Sequence, residues 1–188
     1  MQSNNQRKIY QTKMHEANEA DFALDLMNHW PQFKWIKTSD NFCFDYFVVE
    51  PDLRPISPDV EFDGYYGHPL RAVAELKCRN CFSHSYPSLL LSANKLKKLR
   101  SWADNSGYQA NTKHLRTKLQ PVFALICIRF LDKDMYYRYE QEEFKRQFEK
   151  GLCYFERGGR TVQTRDEWDV EQVIHIHSSL FKEIPKYA

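Results

Sequence analysis

The apolar positions fall into segments of two different periods. Between Met14 and Trp30 the residues Ala20, Phe22, Ala23, Leu26, Met27 and Trp30 recur at helical spacing and Pro31 closes the segment, which predicts a first helix. Asn41 to Glu50 then changes character: Phe42-Cys43-Phe44-Asp45-Tyr46-Phe47-Val48-Val49 is an apolar and aromatic run broken by one carboxylate, the pattern of a buried strand. Pro51, Pro55 and Pro58, followed by Gly64 and Gly67, mark a long excursion before Arg71-Ala72-Val73-Ala74-Glu75-Leu76-Lys77-Cys78, a second strand. From Ser88 to Trp102 the helical period returns, with Leu89, Ala93, Leu96, Leu99 and Ala103 on one stripe. Asp104 to Gln120 is polar and loop-like, and carries Lys113, His114, Arg116 and Lys118. Pro121 to Phe130 is apolar on both faces, as a central strand covered on two sides must be. Met135 to Tyr139 is expected to pair with it across Asp132-Lys133-Asp134. A short helix, Gln141 to Lys150, ends at Gly151, and the remainder alternates strand-like segments around Gly158-Gly159 before Val170 to His177 and an apolar patch at Leu180-Phe181.

This order predicts an α/β protein in which a central mixed sheet is flanked by helices. At 188 residues, with no internal repeat, the expectation is one domain, its core at about 14–140 and a C-terminal extension at 141–188. A hydrophobic content of 42% with only six glycines excludes a disordered or low-complexity chain. The net charge of +2 does not point to a nucleic-acid partner by itself, so any basic surface has to come from local clustering. The first residues lack the apolar run of a signal peptide, and no stretch approaches the roughly 18 consecutive apolar residues of a membrane span. The five cysteines are odd in number and three lie in strand-like runs, which fits reduced thiols. The expected location is therefore cytoplasmic, with no membrane partner.

Charge inside the apolar strands is the informative feature. Glu75 and Lys77 are two residues apart, so one strand face presents a carboxylate beside an ammonium. Left unpaired among apolar neighbours, such groups cost several kcal/mol each, and Asp45 poses the same problem in its own strand. One economical solution places Asp45 and Glu75 on adjacent strands around a hard divalent cation, Mg²⁺ or Mn²⁺, which takes carboxylate oxygens and water. Lys77 would then stand beside the attacking water, an arrangement suited to phosphodiester hydrolysis. The bland alternative is that Glu75 and Lys77 pair with other charges on a solvated sheet face.

In these residues the chain resembles the PD-(D/E)XK nuclease superfamily, whose core places a glutamate-bearing helix before a strand with an aspartate, and then a strand with (D/E)-x-K. Glu75-Leu76-Lys77 matches the paired element and Asp45 the isolated aspartate, with Phe44 standing where the family's proline would be. The resemblance spans about residues 14 to 130. It implies a restriction-endonuclease-like αβββαβ core and Mg²⁺- or Mn²⁺-dependent hydrolysis of DNA, with Asp45 and Glu75 as metal ligands and Lys77 orienting or activating water. The family's helix glutamate corresponds to Glu19, which shares a face with Phe22, Ala23, Leu26 and Trp30, or alternatively to Glu16. The family also places a polar or basic residue on the helix after the second strand, a role open to Lys95 or Ser92. Lys95, Lys97, Lys98 and Arg100, with Arg79 just past the strand, are the candidates for DNA phosphate contacts, against the ordinary reading of a solvated helix face. The resemblance leaves a homodimer open, and leaves open also a catalytically inactive member that binds nucleic acid or a protein partner.

Three other patterns carry less. Cys78, Cys81 and His84 suggest zinc, but structural zinc takes four ligands and no second pair is present. His175 and His177 share a strand face, where a surface or partly buried role is the expectation. Ser92-x-x-Lys95 has the spacing of serine–lysine acyl enzymes without their companion Lys-Thr-Gly element.

Overall fold

The computed structural model describes residues 13–38, 44–50, 70–105, 122–159 and 170–185. The proline-rich excursion, the basic loop with Lys113, His114, Arg116 and Lys118, and the side chain of Glu16 lie outside the described residues. In chain order the elements are helix α1 (Lys13–His29), strands β1 (Lys34–Lys37), β2 (Tyr46–Val49), β3 (Leu70–Cys78) and β4 (Ser88–Ser92), helix α2 (Ala93–Asn105), strands β5 (Phe123–Arg129) and β6 (Asp134–Tyr139), helix α3 (Gln141–Glu149), strands β7 (Cys153–Gly159) and β8 (Val170–His177), a 3-10 turn (Ser178–Leu180) and strand β9 (Lys182–Ile184).

Six strands form a mixed sheet in the order β1-β2-β3-β5-β6-β9, and three more form a second sheet, β4-β8-β7. The pairs β1–β2 and β2–β3 are antiparallel, whereas β3 and β5 run parallel. A parallel pair needs a crossover, and α2 lies in that connection. Leaving β4 to its own sheet, the order α1-β1-β2-β3-α2-β5 follows the expected αβββαβ sequence of elements.

Alternation along the strands divides the core in two. Ala72, Ala74 and Leu76 of β3 point to one face, where Phe22, Ala23 and Leu26 of α1 pack against them with Trp35, Tyr46 and Val48. Val73 points to the other face with Ala124, Ile126 and Ile128 of β5; there Leu96 and Leu99 of α2 join Leu91, Ile174 and Ile176 of the second sheet. Glu75 and Lys77 share the parity of Val73 and therefore face α2. On the α1 side, Arg129 reaches Asp25 at 2.6 Å and Asp134 at 2.8 Å, tying the helix to the sheet.

Some elements differ from the sequence expectation. The segment from Ser88 to Trp102 is not one helix: Ser88–Ser92 pairs with Val173–His177, and the helix begins at Ala93. Ser-Leu-Leu-Leu-Ser fits a helical and an extended period equally well over five residues, and partnership with β8 decides it. Strand β1 escapes notice in the sequence because only four residues, Lys-Trp-Ile-Lys, make it up, and only Trp35 is buried. The strands after residue 140 belong to the sheets: β9 extends the main sheet beside β6, and β8 is central to the second sheet. The end of α3 follows expectation: Gly151 takes φ 70°, and Leu152 N–H donates to the Gln147 carbonyl at 2.9 Å. Among the described residues no helix is long and apolar enough to cross a membrane.

Leu99 is fully buried between α2 and the sheet. Leu99→Ala is expected to lower the unfolding free energy by about 2–5 kcal/mol in urea denaturation. Leu24→Ala, at an α1 position that is 55% exposed, should change it by less than about 0.5 kcal/mol.

Candidate active site

Asp45 immediately precedes β2 and is fixed from several directions. Its N–H donates to the Ala74 carbonyl at 2.9 Å, and its own carbonyl accepts from Thr38 N–H at 2.9 Å. Thr38 Oγ1 also donates to the Phe44 carbonyl at 2.6 Å. The Asp45 carboxylate stands beside β3, where Oδ2 accepts the Leu76 N–H at 2.8 Å. A carboxylate thus replaces a strand carbonyl at the residue following Glu75, bringing the two acids side by side.

Glu75 is completely buried. Its Oε1 lies 2.5 Å from Lys77 Nζ and 2.5 Å from Lys95 Nζ. Lys95 Nζ is also 3.8 Å from Asp45 Oδ1. Two carboxylates therefore face two ammonium groups, and the cluster is close to neutral. Both lysines converge on one oxygen, while Glu75 Oε2 is buried without a hydrogen-bond partner among the described residues. Lys77 and Lys95 retain 27% and 32% side-chain exposure, so the water side of the cluster is the lysine side.

Burial pushes the Glu75 carboxyl above its ordinary value; the Lys77 ammonium opposes the shift, the Asp45 charge adds to it and Lys95 opposes it. Burial works against the Lys77 ammonium too, but the carboxylates of Glu75 and Asp45 outweigh it and raise its pKa. The two upward shifts have different causes: burial disfavours the charged carboxylate of Glu75, whereas the nearby carboxylates favour the charged Lys77 against its own burial. Lys77 is accordingly an ammonium at neutral pH, able to donate a hydrogen bond to water or phosphate rather than to act as a base.

Glu19 is placed elsewhere. It lies on the α1 side of the sheet, and its Oε2 is 3.1 Å from Lys37 Nζ at the end of β1. Lys37 also stands 4.9 Å over the Tyr46 ring. Its pKa is raised: burial pulls it down, and Glu19 and Asp45 more than offset this. Among the described residues no three His, Cys, Asp or Glu side chains are gathered closely enough to hold a metal ion. The site thus offers a pair of carboxylates, Asp45 and Glu75, with Glu19 turned to Lys37. The pair suits a hard cation: Mg²⁺ is commonly bound through one or two carboxylates, water and substrate phosphate filling the remaining positions. Among the described residues Glu75 Oε2 has no hydrogen-bond partner, so this carboxylate has coordinating capacity that the two lysines do not use.

The basic residues separate into different roles. Lys95 turns inward to Glu75, whereas Lys97 and Lys98 are exposed. The Arg100 guanidinium covers the rings of Tyr139 and Phe144 at 5.3 Å each. Arg79 is exposed, with a 3.4 Å contact to the Leu90 carbonyl. Cys78 contacts the Asn18 carbonyl and His84 stacks on Phe82, so these residues are not drawn together with Cys81 as zinc ligands. His175 has a carboxylate partner: its Nε2 is 3.0 Å from Glu156 and its Nδ1 2.9 Å from Ser88 Oγ, while His177 turns to Ser179. Ser92 donates to Glu171 at 2.9 Å, which leaves no serine–lysine pair with Lys95. Sequence reasoning did not single out Lys37 or Thr38, since both belong to the short β1 segment that carries no strand signal of its own.

Comparison with protein-family models, with curated proteins and with solved structures gives no match to this chain.

Because Lys77 and Lys95 share one acceptor, their contributions should not add. Lys77→Ala or Lys95→Ala alone is expected to cost on the order of 1 kcal/mol, and the double variant about 3–5 kcal/mol, because a buried carboxylate then has no counter-charge. In the double variant the folded-state pKa of Glu75 stays above the ordinary 4.5, so its stability contribution is present below that pH and lost as pH rises through the folded value. Denaturation from pH 4 to pH 8 should show the deficit growing toward neutrality.

Proposed function

We propose that this chain is a metal-dependent nuclease that hydrolyses DNA phosphodiester bonds at a PD-(D/E)XK-type site, with Asp45 and Glu75 holding Mg²⁺ or Mn²⁺. The observation that carries the reading is the meeting of Asp45, from just before β2, with Glu75 and Lys77 of β3 in one cluster that Lys95 bridges. A bound divalent cation would supply Lewis acidity, acidifying water and offsetting charge on the phosphate. The protein's own part is positional and electrostatic. The Leu76 N–H fixes the Asp45 carboxylate, burial fixes Glu75, and the Lys77 ammonium donates to the attacking water or to a phosphate oxygen. Glu19 contributes at longer range by holding Lys37 and adding to the negative field at Lys77. Lys97 and Lys98, exposed on α2, and the exposed Arg79 after β3 suit DNA phosphates and would make binding salt-dependent, with Arg100, held over Tyr139 and Phe144, adding its charge. A cytoplasmic location accords with a DNA substrate and with the free thiols of Cys78, Cys81, Cys127 and Cys153. A homodimer is a further part of the proposal, since paired sites would let one assembly cut both strands.

A second reading, an inactive nuclease-fold protein that binds nucleic acid or a protein partner, is favoured by the Lys95 contacts, which neutralise the acids without any metal. Incubation with plasmid and linear DNA across Mg²⁺, Mn²⁺ and EDTA separates the two. Cleavage should require the metal and fall at least about 100-fold in Asp45→Ala, Glu75→Ala and Lys77→Ala, with circular dichroism reporting that each variant is folded. Undiminished cleavage in these variants would refute the assignment; absence of cleavage with every ion favours the binding reading.

A further inference from the structure

The ammonium of Lys95 stands between the two acids that the proposed function assigns to a metal, 2.5 Å from Glu75 Oε1 and 3.8 Å from Asp45 Oδ1. Neutralising Glu75 does not by itself account for this placement. Lys77, two residues along the same strand, already delivers an ammonium to the same oxygen at 2.5 Å. A second ammonium on Oε1 brings two like charges together, while Oε2 goes without a partner among the described residues. Lys95 belongs to the first turn of α2 and its side chain is about one-third exposed. It can therefore swing into solvent through its own rotatable bonds without displacing the helix.

We propose that Lys95 is a built-in competitor for the divalent cation: its ammonium occupies the space between Glu75 and Asp45, and the metal enters as the Lys95 side chain withdraws. The inference rests on Asp45 and Glu75 being the metal-holding pair. Its physical basis is charge. Two carboxylates balance two ammonium groups, so adding a doubly charged ion with both lysines in place leaves the cluster at +2, and expelling Lys95 reduces that to +1. Once outside, Lys95 is free to meet an incoming phosphate, so metal loading and approach of an anionic substrate favour one another.

Calorimetric titration of Mn²⁺ into the full chain tests this without DNA. Lys95→Met keeps the apolar stem and removes the charge, and Lys77 still holds Glu75. It should bind Mn²⁺ on the order of 10-fold more tightly than the wild type, whereas Lys95→Arg, which keeps the charge, should show no such gain. Equal or weaker binding by Lys95→Met, or no binding by either protein, overturns the proposal. A second measurement uses the unaltered chain. Mass-spectrometric mapping after brief acetylation should show Lys95 labelling rising with Mn²⁺ relative to EDTA, and unchanged or reduced labelling counts against the proposal. Neither readout depends on turnover. A chain that loads metal in this way yet cuts no DNA sinks the nuclease reading alone, and a chain that cuts DNA while Lys95→Met binds metal no better sinks the competitor alone.

Discussion

The burial of a carboxylate in the middle of a six-stranded sheet sets the terms for everything around it. Glu75 belongs to β3, with β2 on one side and the parallel β5 on the other, and it has no exposure to water. An ionised carboxylate there is tolerable only with cations at contact distance. Lys77 and Lys95 provide them from opposite structural origins, one from the same strand and one from the helix that crosses over the sheet. The same cluster therefore joins α2 to β3 electrostatically at the end of a contact that Leu96, Leu99 and Val73 make by apolar packing.

Asp45 shows how the backbone adapts to this arrangement. Its carboxylate takes the Leu76 N–H, a donor that would otherwise need a strand carbonyl, and Thr38 holds the preceding turn of chain through the Phe44 and Asp45 carbonyls. The acid is thereby both a structural acceptor and a candidate ligand, with Oδ1 directed toward Lys95. On the other face of the sheet, Glu19, Lys37 and Tyr46 form a separate charged group. The two groups sense one another through charge: Lys77 feels Glu19, and Lys37 feels Asp45.

Much of this was legible in the sequence because strand parity is a strong rule. Glu75 and Lys77 had to share a face, and Ala74 and Leu76 had to pack on the other, whatever the remaining topology. The long apolar run of β5 announced a central strand, and the stripe of α1 announced its buried side. Lys95 was harder to place. It looked equally suited to a phosphate track or to the helix role of the family resemblance, and only the three-dimensional course of α2 turns it inward. Glu19 shows a related limit: a residue on the buried stripe of a helix must point toward the sheet, but the stripe does not say which strand it meets, and its carboxylate pairs with Lys37 of β1. The second sheet was invisible because its pairing joins Ser88–Ser92 to Val173–His177 across most of the chain, and five leucine-rich residues have no period that excludes a helix.

The central claim is that Asp45 and Glu75 form a cation-holding pair clamped by lysines. Its most direct test is a crystal structure of the full chain soaked in Mn²⁺, read by anomalous scattering at the manganese edge. The account predicts one peak at roughly 2.0–2.5 Å from oxygens of both Asp45 and Glu75. A map with no peak at that position, or with manganese bound only elsewhere while both lysines still close on Glu75, would contradict it.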